Sequence, residues 1–254
     1  MKITAAAWAA YRKKLSAVNR KAADLMTQYV IANGINDADK LIEYAYALAT
    51  KYGEAAAALA CQMYDQTAEA AKAGVLRAEP ANTATYEETA KAINGTLKKS
   101  SLPSSLGSST GRLVKQAASD TTLKNARRDN AEFAWIPSGD GCPFCQIIAS
   151  KGWKRATKET AAGNHADHIH PNCQCEFAIR FSKDDGVSGY SPDKYKKIYD
   201  DAEGRTSKEK IRSINRDVYA KNKDAINERK RAEYARRVDA QKAEENNDNE
   251  GDQE

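Results

Sequence analysis

Residues 8–29 read Trp8-Ala-Ala-Tyr11-Arg-Lys-Lys-Leu15-Ser-Ala-Val18-Asn-Arg-Lys-Ala22-Ala-Asp-Leu25-Met-Thr-Gln-Tyr29. The large apolar residues recur alternately three and four positions apart, which places them on one face of an α-helix. Gly34 follows as a helix stop, and Asn36 or Asp37 is suited to cap a second helix. There Leu41, Ala45, Leu48, Tyr52, Ala55, Leu59 and Met63 repeat the spacing. Two such stripes predict a helical hairpin whose apolar faces pack on each other. Cys61 lies among the alanines of the second helix and reads as a small buried hydrophobe.

Further along, Pro80 interrupts the chain, and a shorter helix is expected from about Thr83 to Ile93. Residues 98–111, KKSSLPSSLGSSTG, are rich in serine and glycine and have no apolar period, so they read as a flexible linker. A helical stretch from Arg112 to Ala134 then leads to Trp135. Glu176-Phe177-Ala178-Ile179-Arg180-Phe181 alternates as a half-buried strand does. Beyond Asp184-Asp185-Gly186 the chain turns charged and helical, with a thin stripe of Ile211, Ile214, Val218 and Ile226 that needs another surface to lie on.

The expected fold is therefore mainly α. It divides into a helical N-terminal domain (1–97), the linker (98–111), and a helix plus a small metal-stapled α+β module with short strands (112–182). A charged helical C-terminal region (183–239) and a disordered acidic tail (240–254) follow.

Composition agrees. Of 254 residues, 41% are hydrophobic, but much of that is alanine, and phenylalanine occurs only four times, so close helix packing is expected rather than a deep core. The mean hydropathy is −0.74. No segment reaches the roughly 18 consecutive apolar residues of a membrane helix. The Met1-Lys2-Ile3-Thr4 start runs into the amphipathic pattern without a signal-peptide apolar region, so synthesis in the cytoplasm is expected. The formal charge of +5 is uneven: residues 240–254 hold one lysine and six acidic side chains, whereas residues 205–239 hold twelve basic and six acidic ones. The basic stretch is a candidate surface for nucleic acid, or simply the solvated face of a charged helix.

Four of the five cysteines fall between Cys142 and Cys175, as Cys142-Pro-Phe-Cys145 and His170-Pro-Asn-Cys173-Gln-Cys175. Thiolates gathered with imidazoles suit zinc, which takes four Cys or His ligands in a tetrahedron. A segment this poor in large apolar residues is expected to need a staple, and in a reducing cytoplasm spaced cysteines are more often metal ligands than disulfides. The candidates are Cys142, Cys145, His170, Cys173 and Cys175, with His165 and His168 just upstream. That is more than four, so two or three of His170, Cys173 and Cys175 complete the set. The competing readings are disulfides or free thiols, and a catalytic metal served by Glu176 or Asp167. Asp167-His168-Ile169-His170 also resembles the core of HNH nucleases, but no histidine follows His170, so the third element of that motif is missing. No phosphate loop, dinucleotide fingerprint or nucleophile elbow occurs.

The run from Trp135 through Cys142-Pro-Phe-Cys145-Gln-Ile-Ile-Ala-Ser-Lys-Gly152 to His170-Pro-Asn-Cys173-Gln-Cys175, closing on a short strand, resembles the signature of phage Mu F-like minor head proteins. Asn125-Ala126-Arg127 is similar to an N-x-R element upstream of that signature. The resemblance covers about residues 120–182. It implies a non-enzymatic virion component, a minor capsid protein with a structural zinc site that acts in head morphogenesis at the portal or capsid interior. The implied partners are portal and major capsid proteins, with packaged DNA a further one for residues 205–239; no membrane and no small-molecule substrate are implied. Two alternatives stand beside it, a metal-dependent nuclease or DNA-processing protein and a zinc-binding adaptor.

Overall fold

The stripe of residues 8–29 lies in α1 (Ala5–Asn33), which follows a two-residue strand, β1 (Lys2–Ile3). The computed structural model describes residues 2–138, 141–160 and 175–251, without the side chains of 226, 229, 230, 233 and 236–251. Thr4 caps α1 by accepting the Ala7 N–H, and Gly34, at φ +70°, ends it. Trp8, Tyr11, Leu15 and Ala22 are buried as expected, but farther on Met26 and Val30 replace Leu25 and Tyr29 on the inner face. A stripe repeating every 3.5 residues drifts by about 20° per heptad on a straight 3.6-residue helix, so the third heptad presents its neighbours.

Asp37 caps α2 (Ala38–Ala71) by accepting the Lys40 N–H. A strap without helix or strand over residues 73–85 leads to α3 (Tyr86–Leu97), whose start is fixed by a reciprocal capping box between Thr85 and Glu88. That box places the helix a few residues later than the spacing suggested.

The stretch expected as a linker is instead largely helix: α4 spans Pro103–Arg128. Pro103 stands in the first turn, where its missing N–H is tolerated. Serine and glycine are weak helix formers, but propensity yields to tertiary packing. Leu106, Gly107, Ser109, Thr110 and Gly111 are all buried. A Cβ on Gly107 would come within 2.5 Å of the Ala23 carbonyl oxygen of α1, and one on Gly111 within 3.1 Å of the Asn19 carbonyl oxygen. The small residues are what let the two backbones approach. Thr110 satisfies its hydroxyl by donating to the Leu106 carbonyl at 3.0 Å.

The two stripes share apolar clusters as expected, and the same element joins them. α4 packs against both α1 and α2 more extensively than they pack against each other. Residues 1–97 and 112–182 fall together in one compact unit, Met1–Tyr199.

α4 feeds a three-stranded antiparallel sheet in the order β3-β2-β4, built from β2 (Glu132–Ile136), β3 (Lys154–Arg155) and β4 (Glu176–Arg180), with Trp135 opposite Phe177. The short helix α5 (Pro143–Ala149) follows β2. β4 was expected to be half-buried, yet Glu176 through Ile179 are all buried. Its two faces enter different apolar clusters. Phe177 and Ile179 join Phe133, Trp135, Tyr64 and Leu123, whereas Ala178 joins Ile136, Trp8, Tyr11 and Leu15. β5 (Gly186–Val187) pairs in parallel with β1, and α6 (Pro192–Asp201) comes next.

The second unit, Asp200–Glu254, holds the long helix α7 (Ser207–Gly251). Thr206 and Glu209 form its N-terminal capping box, and Lys210 Nζ donates to the Ala202 carbonyl at 2.9 Å. Of the thin stripe, Ile214 is buried and Ile211 and Val218 are partly buried, while the side chain of Ile226 lies outside the described residues. The tail expected to be disordered is helical in backbone as far as Gly251. Alanine, glutamine, lysine and glutamate dominate its first turns beyond Asp239, and all are good helix formers. The chain as described is mainly α.

Candidate metal centre

The cysteines are placed by the turn between β2 and α5. Gly141 sits at φ +62°, and a Cβ there would lie 2.8 Å from Pro137 Cβ, so the turn requires glycine. Gly141 donates its N–H to the Ser138 carbonyl, and the buried Gln146 amide donates to the Gly141 carbonyl at 3.2 Å. Cys142 is the N-cap of α5, and its Sγ accepts the Cys145 N–H at 3.4 Å. The CxxC spacing thus becomes one helical turn, with Pro143 in a first position that needs no donor.

Cys175 stands at the entry of β4, and its Sγ accepts the Ser138 N–H at 3.4 Å. Cys145 is fully buried, Cys175 nearly so and Cys142 half-buried. One apolar cluster takes in all three sulfurs' residues together with Phe133, Trp135, Ile148 and Phe177. No disulfide joins any two of them. His170 and Cys173, like His165, Asp167 and His168, lie outside the described residues. Among the described residues, no three His, Cys, Asp or Glu side chains gather into a metal site by themselves.

Glu176, read from sequence as an available acid or base, is tied up. Its carboxylate is buried and accepts from Lys115 Nζ of α4 at 2.8 Å. The same ammonium donates to the Cys175 carbonyl and lies 5.8 Å from the Trp135 ring. Lys115 therefore anchors the strand entry that carries Cys175. Sequence reading passed over it, although a lysine set among Leu113, Val114, Ala117 and Ala118 was a signal. Arg12 of α1 also reaches in, donating to Ser138 Oγ on the loop before Gly141.

Asn125, the first residue of the N-x-R trio, is fully buried and clamps the strap in both directions. Its Oδ1 accepts the Glu79 N–H at 2.9 Å and its Nδ2 donates to the Glu79 carbonyl at 2.8 Å. Arg127 of the trio is exposed. Cys61 on α2 is only partly buried and is not part of that cluster; burial pushes its thiol up.

Compared with known protein families, the chain matches the one described as VG15 protein over residues 2–202. The chain belongs to the VG15 protein family. That family is viral, which fits a phage protein. The VG15 match runs from β1 to the end of α6, takes in the whole cysteine cluster, and stops short of α7. No curated protein and no solved structure matches the chain. No helix among the described residues is long and apolar enough to cross a membrane.

Proposed function

We propose that this VG15-family protein is a minor head protein of a tailed phage, a structural component at the portal or capsid interior that carries one structural zinc ion. The observation that supports the reading is that Cys142, Cys145 and Cys175 belong to one apolar cluster inside the matched region, beside His170 and Cys173 in sequence. The donor set fits the metal. Two of the three sulfurs accept backbone N–H bonds, and soft thiolates in an apolar shell suit zinc. Cys142, Cys145 and Cys175, completed from His170 and Cys173, would hold it. Zinc bound there would supply a cross-link between the α5 turn and the start of β4. The role is assembly rather than catalysis: Glu176, the carboxylate next to Cys175 in sequence, is buried and neutralised by Lys115 and so is poorly placed to exchange protons with a substrate.

α7 adds a second surface. Its stretch within residues 205–239 is rich in lysine and arginine, and the side chains described there from 215 on are mostly exposed. In this reading it faces packaged DNA, and its retardation of duplex DNA should fall steeply between low and moderate salt. The test of the head-protein role is mass spectrometry of purified virions. The protein should be present in far fewer copies than the major capsid protein. Its absence from intact virions would overturn the assignment.

A further inference from the structure

An elongated groove of about 830 Å³ runs between α1 and α4, and the Lys115–Glu176 pair beside Cys175 forms part of its lining. It follows α1 from Ala9 to Thr27, about 27 Å of helix. The α1 wall presents Arg12, Lys13 and Arg20; the α4 wall presents Ser104, Ser108 and Gly111. We infer that this groove is a docking site for an acidic helix of a partner protein.

Shape comes first. Two helices in contact, lined on one side by serine and glycine, leave a low-walled trough in which a third helix can seat ridge into groove. Charge selects the occupant. Lys13 and Arg20 are exposed, and no ion pair among the described residues engages either one. Arg12 Nε and Asn19 Oδ1 are buried without hydrogen-bond partners on the same wall. Of the two carboxylates in the lining, Glu176 is neutralised by Lys115, which leaves Asp24 at one end. The trough is therefore net basic.

Spacing sharpens the chemistry. Lys13 and Arg20 are seven residues apart on one face of α1, about 10.5 Å along the axis, so carboxylates two helical turns apart on the occupant would meet both. A nucleic-acid strand fits less well. Over 27 Å it would bring roughly eight phosphates, at about 3.4 Å per charge on one strand, against three cations and the Asp24 carboxylate.

The inference stands on the groove alone and does not depend on the metal. Its test is fluorescence anisotropy with the full chain and a labelled alanine-rich helical peptide carrying glutamates two turns apart, beside the same peptide with glutamines. The glutamate peptide should bind at least about tenfold more tightly at low salt, and the difference should shrink as salt rises. Lys13→Glu with Arg20→Glu should remove that preference while circular dichroism and Tm stay unchanged, because both side chains are exposed. Equal affinity for the two peptides, no binding of either, or indifference to the double charge reversal would overturn the proposal. A single-stranded DNA that binds through Lys13 and Arg20 would reassign the groove to nucleic acid. Self-association lost on the same reversal would reassign it to a second copy of the chain.

Discussion

α1 and α4 lie side by side, α1 burying one stripe and α4 most of its surface, and their sequences announce this in opposite ways. α1 covers its neighbours with Trp8, Tyr11, Leu15 and Met26. The first half of α4 is approached by its neighbours, because Gly107 and Gly111 leave nothing in the way. A helix can be held by what its side chains fill or by what they omit. The two modes should respond to mutation with opposite signs: removing volume should damage α1, and adding volume should damage α4.

The largest expected effect concerns the one long polar side chain that α4 buries completely. Lys115→Met should destabilise the chain by about 3–5 kcal/mol, because it strands the buried Glu176 carboxylate. Glu176→Gln in that background should restore about half of the loss, since no buried charge then remains unpaired. Urea denaturation of the two variants measures this, and a double variant no better than Lys115→Met would show that the pair is not what ties α4 to β4.

On α1, Leu15→Ala should cost about 3 kcal/mol, the usual consequence of a cavity at a fully buried leucine. On α4, Gly107→Ala should cost about 2 kcal/mol although it adds only a methyl group and improves helix propensity, because that methyl meets the Ala23 carbonyl. Gly95→Ala in α3 is the control. Nothing lies within 4 Å of a Cβ there, so the same change should stabilise by about 0.5–1 kcal/mol. If Gly107→Ala were also stabilising, the close approach of α1 and α4 would be refuted.

This contrast explains what the sequence made legible. α1 and α2 could be read because large apolar residues at helical spacing have no common alternative meaning. α4 could not, since Ser-Ser-Leu-Gly-Ser-Ser-Thr-Gly spells a linker equally well; only the backbone of Asn19 and Ala23, some 90 positions earlier, decides between them. The cysteine module was misjudged for the same reason. It looked too poor in apolar residues to hold itself together, but Tyr64 of α2 and Leu123 of α4 complete a core around Phe133, Trp135 and Phe177, whose rings meet at 5.6 and 4.6 Å. The burial of Glu176 was hidden too, because its partner is 61 positions away. The single turn that carries Cys142 and Cys145 was legible from their spacing, whereas the apolar cluster they share with Cys175 was not; His170 and Cys173 lie outside the described residues.

That core narrows the work left for a metal. With the sheet already packed on α2 and α4, zinc would fasten the excursion between α5 and β4 and leave the helices independent of it. The direct measurement is elemental analysis of the protein purified under reducing conditions, paired with circular dichroism of the Cys142→Ser/Cys145→Ser variant. The account predicts about one zinc per chain, as a closed four-ligand site requires, lost in the variant while the helical signal persists. Five titratable thiols and no bound metal in the native protein would contradict it.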